Sequence, residues 1–256
     1  MRKTKIICTL GPSTDSPEIL EAMMKSGMDV ARFNFSHGTH EDHKRRLEML
    51  KDLRKKLNIP VAALLDTKGP EIRLKTFEKG EVYLETGQHF TLTAREVTGT
   101  REICSVTYKN LAQDVRLGSQ VMLDDGLISM KVVEKTETDV ICRVENGGAV
   151  KDRKGVNVPG VHLSMPYMSA QDRADIRFGI EEGFDFIAAS FCRTAQDAME
   201  IRRMLDENHS NMRIIAKLEN QEGVNNVDEI LAVVGGVMYA RGDMGGEIGF
   251  TQIPVI

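Results

Sequence analysis

The chain has little of what marks several common protein classes. Its four cysteines, Cys8, Cys104, Cys142 and Cys192, are scattered and form no CxxC pair. That spacing argues against a thiolate metal site or a dithiol centre and fits a reduced cytoplasm. No run approaches ~20 apolar residues, so no helical membrane span is expected. The basic start Met1-Arg2-Lys3-Thr4-Lys5 is followed by an apolar stretch too short for a signal sequence. An excess of one charge is also missing: 34 Lys+Arg stand against 38 Asp+Glu, a net −4. Nucleic-acid domains show a strongly basic balance, so any phosphate is expected at a focused site. Nor does a phosphate cradle follow the first strand, where the turn is Gly11-Pro12-Ser13. Gly245-Gly246-Glu247-Ile248-Gly249 is Gly-rich but lacks the Lys-Ser/Thr of a P-loop. It reads as a tight turn with a helix start donating N–H groups.

What is present is an adequate core, with 41% hydrophobic residues in 256, enough for one large domain or two ordinary ones. The first part alternates strand and helix. Lys5–Leu10 reads as a strand. Ser16-Pro17-Glu18 starts a helix as N-cap, N1 proline and early acid, and Gly27 ends it. Met28–Phe35 is a strand. Thr39 with Asp42 forms a capping box for a long helix carrying Leu47, Leu50, Leu53 and Leu57 on one face. Val61–Leu65 is the third strand. From about Glu71 to about Pro166 no helix period appears. Alternating stretches such as Val82-Tyr83-Leu84 and Phe90-Thr91-Leu92-Thr93 are divided by turns at Asp124-Asp125-Gly126 and Glu145-Asn146-Gly147-Gly148. This is an inserted all-β module of ~95 residues. Ser169 and Asp172, then Thr194 and Asp197, open further helices. Strands follow at 184–189, 212–217 and 236–240, with a short helix near Val227–Val233.

Six parallel strands fit an open doubly wound sheet or part of an eight-stranded barrel. The strongest polar groups follow several different strands, which favours the α/β TIM-type (β/α)8 barrel. Such a barrel needs ~250 residues and only ~160 remain outside the insertion. Two βα units are therefore expected beyond Ile256. The organisation read here is residues 1–70 and 168–256 as an incomplete catalytic barrel of about six strands, with 71–167 as an inserted β lid.

Chemistry gathers at the strand ends. Lys217 and Glu219 close the apolar run Met212–Ala216, and Asp243 follows the run Gly236–Ala240. Two carboxylates beside one ammonium suit a divalent cation and an anionic substrate. Period-two alternation puts Arg32, Asn34 and Ser36 on one face of their strand and Phe33 and Phe35 on the other. A guanidinium, an amide and a hydroxyl in line can hold phosphate and a monovalent cation together. Asp66 adds a carboxylate, Thr67 a hydroxyl and carbonyl, and Arg73 a fork-shaped phosphate donor.

Ala31–Gly38, Asp66–Arg73, Lys154–Gly160, Lys217–Glu222 and Ala240–Gly245 resemble the ordered signature set of the pyruvate kinase family across essentially the whole chain. The resemblance implies phosphoryl transfer between phosphoenolpyruvate and ADP, giving pyruvate and ATP, the last step of glycolysis. It implies that Glu219 and Asp243 ligate Mg²⁺ or Mn²⁺ and that Lys217 acts on the transferring phosphoryl group and enolate oxygen. It implies that Arg32 grips the substrate phosphate. Asn34, Ser36, Asp66 and Thr67 then coordinate K⁺. Asn34, Ser36, His37, Arg73 and Lys154 face the nucleotide, and Gly242 and Asp243 meet the substrate. The family's enolate-protonating Thr and its C-terminal effector domain fall beyond Ile256. Residues 245–250 depart from the commoner form, which has an aliphatic residue at 246 and often Pro at 249.

A cytoplasmic homotetramer with no nucleic-acid or membrane partner is implied for the full-length protein, with the isolated fragment inactive. A barrel lyase or aldolase would need neither the K⁺ cluster nor the lid; a non-catalytic fragment is the remaining alternative. Gly69-Pro70 and Pro166 bracket the lid as expected hinges, which would let it exclude water over ADP and metal. The methionines read as core filler. His40, His43, His89, His162 and His209 are expected at the surface, and Lys44-Arg45-Arg46 as a solvated helix face.

Overall fold

Alternating strands and helices build the first of two units in the computed structural model, which describes residues 3–248 and 251–256. In chain order the elements are β1 (Ile7–Leu10), α1 (Pro17–Lys25), β2 (Val30–Asn34), α2 (His40–Leu57) and β3 (Ala62–Asp66). The β-rich segment follows: β4 (Ile72–Arg73), β5 (Glu81–Leu84), β6 (His89–Thr93), β7 (Ile103–Ser105), α3 (Leu111–Asp114), β8 (Gln120–Leu123), β9 (Ile128–Lys135), β10 (Asp139–Asn146), β11 (Gly148–Lys151) and β12 (Gly155–Asn157). Then come α4 (Ala170–Glu181), β13 (Phe186–Ala189), α5 (Ala195–Glu207), β14 (Arg213–Leu218), α6 (Gln221–Asn225), α7 (Val227–Leu231), β15 (Gly236–Tyr239) and α8 (Arg241–Ile248). The first unit holds the chain through Gly69, Tyr167–Lys217 and Asp228–Met238; the second holds Pro70–Pro166, Leu218–Val227 and Tyr239–Ile256.

The sheet of the first unit runs β1-β2-β3-β13-β14-β15, in sequence order. The β1–β2, β2–β3, β3–β13 and β13–β14 pairs are parallel. A doubly wound sheet reverses its strand order at a switch point. This one never reverses, so every crossover steps in the same direction, as in a (β/α)8 barrel. The sheet is six strands of an incomplete barrel.

Local sequence starts these helices where expected. Ser16, Thr39, Ser169 and Thr194 accept backbone N–H bonds from Ile19, Asp42, Asp172 and Asp197, with reciprocal capping boxes at Thr39/Asp42 and Ser169/Asp172. Each such cap contributes about 1 kcal/mol. Alternation then sorts the strands' faces. Ala31, Phe33, Ala63, Leu65, Ile187, Ala189 and Ile214 join one core with Leu20 and Met24 of α1, Leu47, Leu50 and Leu53 of α2, Ile176 of α4 and Leu205 of α5. Burying each Leu or Phe is worth roughly 1.5–3 kcal/mol. The intervening positions, Arg32, Asn34 and Asp66 among them, face the other way and carry the polar chemistry.

Two side chains expected at the surface belong to the interior of this unit. His43 is buried and stacks on Phe35 with ring centroids 4.1 Å apart. Its Nε2 donates to the His37 carbonyl at 3.0 Å. Burial pushes its imidazole below the usual range. Arg46 is buried too, its Nε and Nη2 donating to Asp15 at 2.5 and 2.8 Å. The reason is helical spacing: His43-Leu47-Leu50 and Arg46-Leu50-Leu53 both follow i, i+3/i+4 steps, so the inward stripe extends one turn earlier than its leucines. His40 is half-buried, stacked on Phe178 and bonded to Asp175 at 2.6 Å. His89 and His209 are exposed, as expected.

In the second unit a seven-stranded sheet, β4-β12-β8-β9-β10-β6-β7, and a two-stranded sheet, β11-β5, enclose a core with Phe90, Leu92, Cys104, Val121, Leu123, Met130 and Cys142. The Asp124-Asp125-Gly126 turn joins antiparallel β8 and β9, with all three residues at positive φ. Four differences from the sequence reading concern short elements. Leu111–Asp114 forms one helical turn, too brief to show a period, with Leu111 and Ala112 buried. Strand β10 runs through Asn146, and Gly147 alone breaks it as the chain passes to the other sheet. A Cβ at 147 would sit 2.3 Å from the Leu84 carbonyl. The five-residue α6 is capped by Asn220, whose side chain accepts from Gly223 N at 2.7 Å. Finally, Gly245 and Gly246 lie inside α8 and make no tight turn. A Cβ at 246 would stand 3.6 Å from the Asp125 backbone, so the bare helix face fits against the β8–β9 turn. Gly249 and Phe250 lie outside the described residues.

Candidate active site

Three parallel strands of the first unit end in polar residues that meet on one carboxylate. Asn34 and Asp66 are register partners across β2 and β3, and Ala188 of β13 pairs with Asp66. Asp66 is 1% exposed. Arg32 forms an ion pair with its Oδ2 and donates from Nη1 to Thr9 Oγ1 at 2.8 Å. Lys217 near the end of β14 reaches its Oδ1 at 3.2 Å. A buried carboxylate needs partners for its oxygens, and here two cations and a hydroxyl supply them. Lys217 is itself 7% exposed, so its ammonium is held in a low-dielectric setting where its field is strong.

The neighbouring turn supplies oxygens. Asn34 Oδ1 accepts from Ser36 N at 3.0 Å, and Phe35 N donates to the Asp66 carbonyl at 2.9 Å. Thr67 N donates to the Ala188 carbonyl at 3.0 Å, and its hydroxyl accepts from Ser190 N at 3.1 Å. Amide, hydroxyl, carboxylate and carbonyl oxygens crowd one corner. This hard-oxygen set fits an alkali cation. His37 belongs to the same turn, its N–H bonded to the Asn34 carbonyl at 3.2 Å.

Ser190 is a member of this cluster that the sequence reading does not include. Lys217 Nζ donates to its Oγ at 2.8 Å, and that Oγ lies 2.6 Å from the Thr67 carbonyl and 3.1 Å from Asp66 Oδ1. A signal existed: Phe186, Ala188 and Ser190 share a face by alternation, and Ser190 follows β13 as Thr67 follows β3.

In the second unit Glu219, one residue beyond β14, is 1% exposed. Asp243 is exposed in the first turn of α8. Among the described residues no group of three or more His, Cys, Asp or Glu is gathered for a metal. Mg²⁺ takes one or two carboxylates, with waters and substrate oxygens completing its shell, so a Glu and an Asp are a fitting donor set. Around Gly242 a Cβ would meet nothing within 4 Å.

The basic residues expected to face a nucleotide are engaged with acids of their own unit. Arg73 donates to Glu71 at 2.7 and 2.8 Å and to the Arg153 carbonyl at 2.9 Å. Its hydrogen bonds to Glu71 raise its guanidinium further, with the charges of Asp125 and Asp243 acting the same way. Lys154 pairs with Asp124 at 2.8 Å. Asn157 of β12 donates to Glu247 of α8 at 2.8 Å; burial raises that carboxyl, and the Asn157 bond opposes the rise.

Among the described residues no helix is long and apolar enough to cross a membrane. The family model "Pyruvate kinase, barrel domain" matches residues 1–256. The chain is 49% identical over 258 residues to pyruvate kinase of Staphylococcus aureus (strain MRSA252), covering 100% of this chain and 44% of that relative. The same figures hold for pyruvate kinase of Staphylococcus epidermidis (strain ATCC 35984). The chain thus spans less than half the length of these curated relatives.

Proposed function

The chain belongs to the pyruvate kinase family, and from that premise we propose that it carries the phosphotransfer site of an enzyme converting phosphoenolpyruvate and ADP to pyruvate and ATP. The observation that carries this reading is the meeting of Arg32, Lys217 and Ser190 on the buried carboxylate of Asp66. A packed core has no need of two cations there, whereas a dianionic phosphate and a developing enolate do.

In this reading Arg32 binds the substrate phosphate through the edge of its guanidinium not committed to Asp66. The Lys217 ammonium stands against the phosphoryl oxygens and the enolate oxygen, where negative charge grows during transfer. Its position is set before reaction by Asp66 and Ser190, so little reorganisation is needed. Gly242 leaves room for the substrate carboxylate beside Asp243. Glu219 and Asp243 would hold Mg²⁺ or Mn²⁺, which when bound neutralises phosphate charge and polarises substrate oxygens. Asn34, Ser36, Asp66 and Thr67 would hold K⁺. Asn34, Ser36, His37, Arg73 and Lys154 face the nucleotide phosphates. Arg73 and Lys154 then exchange Glu71 and Asp124 for phosphate oxygens, a swap of one charge-assisted bond for another.

The same proposal takes 1–70 and 168–256 as the catalytic part and 71–167 as its inserted lid, in a cytoplasmic homotetramer. The 256-residue chain alone, with an unclosed six-stranded sheet, is read as inactive. The test is a coupled assay of pyruvate formation on the protein at its full encoded length, with Mg²⁺ and K⁺. Turnover dependent on phosphoenolpyruvate and ADP supports the reading. Its absence in folded protein, or aldol cleavage in its place, sinks it.

A further inference from the structure

Ser190 is 1% exposed and has almost no freedom. Its N–H donates to Thr67 Oγ1 at 3.1 Å, and its carbonyl accepts from the Tyr167 hydroxyl at 3.2 Å. Gly69 packs so closely that a Cβ there would lie 2.8 Å from the Ser190 carbonyl oxygen. The next residue, Phe191, sits at φ 52°. An aromatic L residue is rarely found there, and the conformation persists only where surrounding contacts over-determine it. The turn after β13 is therefore tightly constrained, and Ser190 is held within it.

That hydroxyl has one proton and two lone pairs. The Lys217 ammonium can only donate, so Oγ accepts from it at 2.8 Å. The Ser190 proton then has two acceptors in reach, the Thr67 carbonyl at 2.6 Å and Asp66 Oδ1 at 3.1 Å. We propose that Ser190 is a positioning residue that holds the Lys217 ammonium and links it to the Asp66/Thr67 oxygen pair, so that monovalent-cation binding and lysine placement form one coupled equilibrium. This deepens the preceding reading of Lys217, Asp66 and Thr67 and rests on it.

The physical case is a competition for Asp66. The carboxylate already serves Arg32 and Lys217. A cation drawing on Asp66 weakens its hold on Lys217, whose contact with Oδ1 is the looser one at 3.2 Å. The bond to Ser190 keeps the ammonium in place through that change. The hydroxyl can also turn its proton to whichever of the two oxygens the cation leaves, without giving up its acceptor role toward Lys217. Alanine can do neither. Threonine keeps the hydroxyl, and cysteine keeps the volume with a much weaker acceptor.

The experiment uses the protein at its full encoded length, with Ser190→Ala, Ser190→Thr, Ser190→Cys and Lys217→Met. Steady-state kinetics are read together with Tl⁺ binding, Tl⁺ standing in for K⁺ and followed by thallium NMR without turnover. For Ser190→Ala the expected result is a fall in kcat of about tenfold or more, the weight of one charge-assisted hydrogen bond. KM for phosphoenolpyruvate should stay within about threefold, while Tl⁺ affinity shifts several-fold. Ser190→Thr should restore both. Ser190→Cys replaces the alanine variant if the latter lacks native circular dichroism. Loss of thermal stability with unchanged kcat and Tl⁺ affinity marks a merely structural serine and overturns the inference. So does a fall in kcat with Tl⁺ affinity unmoved. If Lys217→Met itself keeps turnover, the underlying reading has failed; if it is inactive while Ser190→Ala and Ser190→Cys behave as wild type, only the present inference has.

Discussion

Asn34 and Asp66 stand side by side as register partners in parallel β2 and β3. A parallel pair brings like ends of its strands to the same edge, so residues separated by 32 positions in the chain share one corner of the sheet. The Asn34 amide and the Asp66 carboxylate are the two strand-borne members of the proposed K⁺ cluster. Replacing Asn34 with Ala is expected to weaken Tl⁺ binding and raise the K⁺ concentration for half-maximal turnover. Exchange of K⁺ for tetramethylammonium should lower turnover sharply. Indifference to both changes would remove the alkali cation from this corner.

Lys217→Met keeps the length of the side chain and deletes its charge. Loss of one preorganised electrostatic group of this kind costs about 10²–10³ in kcat. The coupled pyruvate assay on the full-length protein measures it, with circular dichroism as the control for folding. A variant within threefold of wild type would take Lys217 out of the chemistry.

Glu219→Gln retains shape and removes a charge from a fully buried position. Mn²⁺ binding, followed by electron paramagnetic resonance, is expected to weaken by at least tenfold while the thermal midpoint changes little. Undiminished Mn²⁺ affinity would assign the divalent ion to other ligands.

Asp15 and Arg46 give a pH dependence of defined sign. The Arg46 hydrogen bonds hold the Asp15 carboxyl below its ordinary range, against the opposing effect of burial. A carboxyl whose folded pKa is depressed stabilises the fold at pH above its unfolded value near ~3.9, and that contribution is lost as pH falls through the folded value. Asp15→Asn should therefore cost about 2 kcal/mol at pH 7 and progressively less below pH ~4. Urea unfolding at a series of pH values tests this, and a pH-independent difference would contradict it.

Burial raises the thiols of Cys104, Cys142 and Cys192 to about 11, about 12 and about 12. At pH 8 their thiolate fractions are negligible and none is accessible. Titration of the native 256-residue chain with a disulfide reagent should label no more than Cys8, and the same chain in guanidinium should show four thiols. Rapid labelling of two or more in native protein would mean that the cores open readily.

How much could be read in advance follows from how local each signal is. Thr39 with Asp42 and Ser169 with Asp172 marked helix starts because a cap is satisfied within three residues. Phe33 and Phe35 against Arg32 and Asn34 told the two faces of β2 apart because strand side chains alternate. Elements of four or five residues, such as α3 and α6, contain less than two helical turns and leave no period to detect. His43 and Arg46 are of types usually solvated, and only packing against Phe35 and pairing with Asp15 make their burial tolerable. Gly245 and Gly246 read as a turn because glycine is, after proline, the residue least favoured inside a helix.

Alternation, capping and the run of strand-ending polar residues, all properties of near neighbours in the chain, were sufficient to establish the kinds of element and the chemistry on offer. They could not say that Arg32, Lys217 and Ser190 would converge on Asp66, nor that Ser190 belonged there at all. That required parallel register between strands distant in the chain, such as β3 and β13, where Asp66 pairs with Ala188. Register is set by burying every strand's apolar face against the helices at once, a condition that no single segment carries within itself.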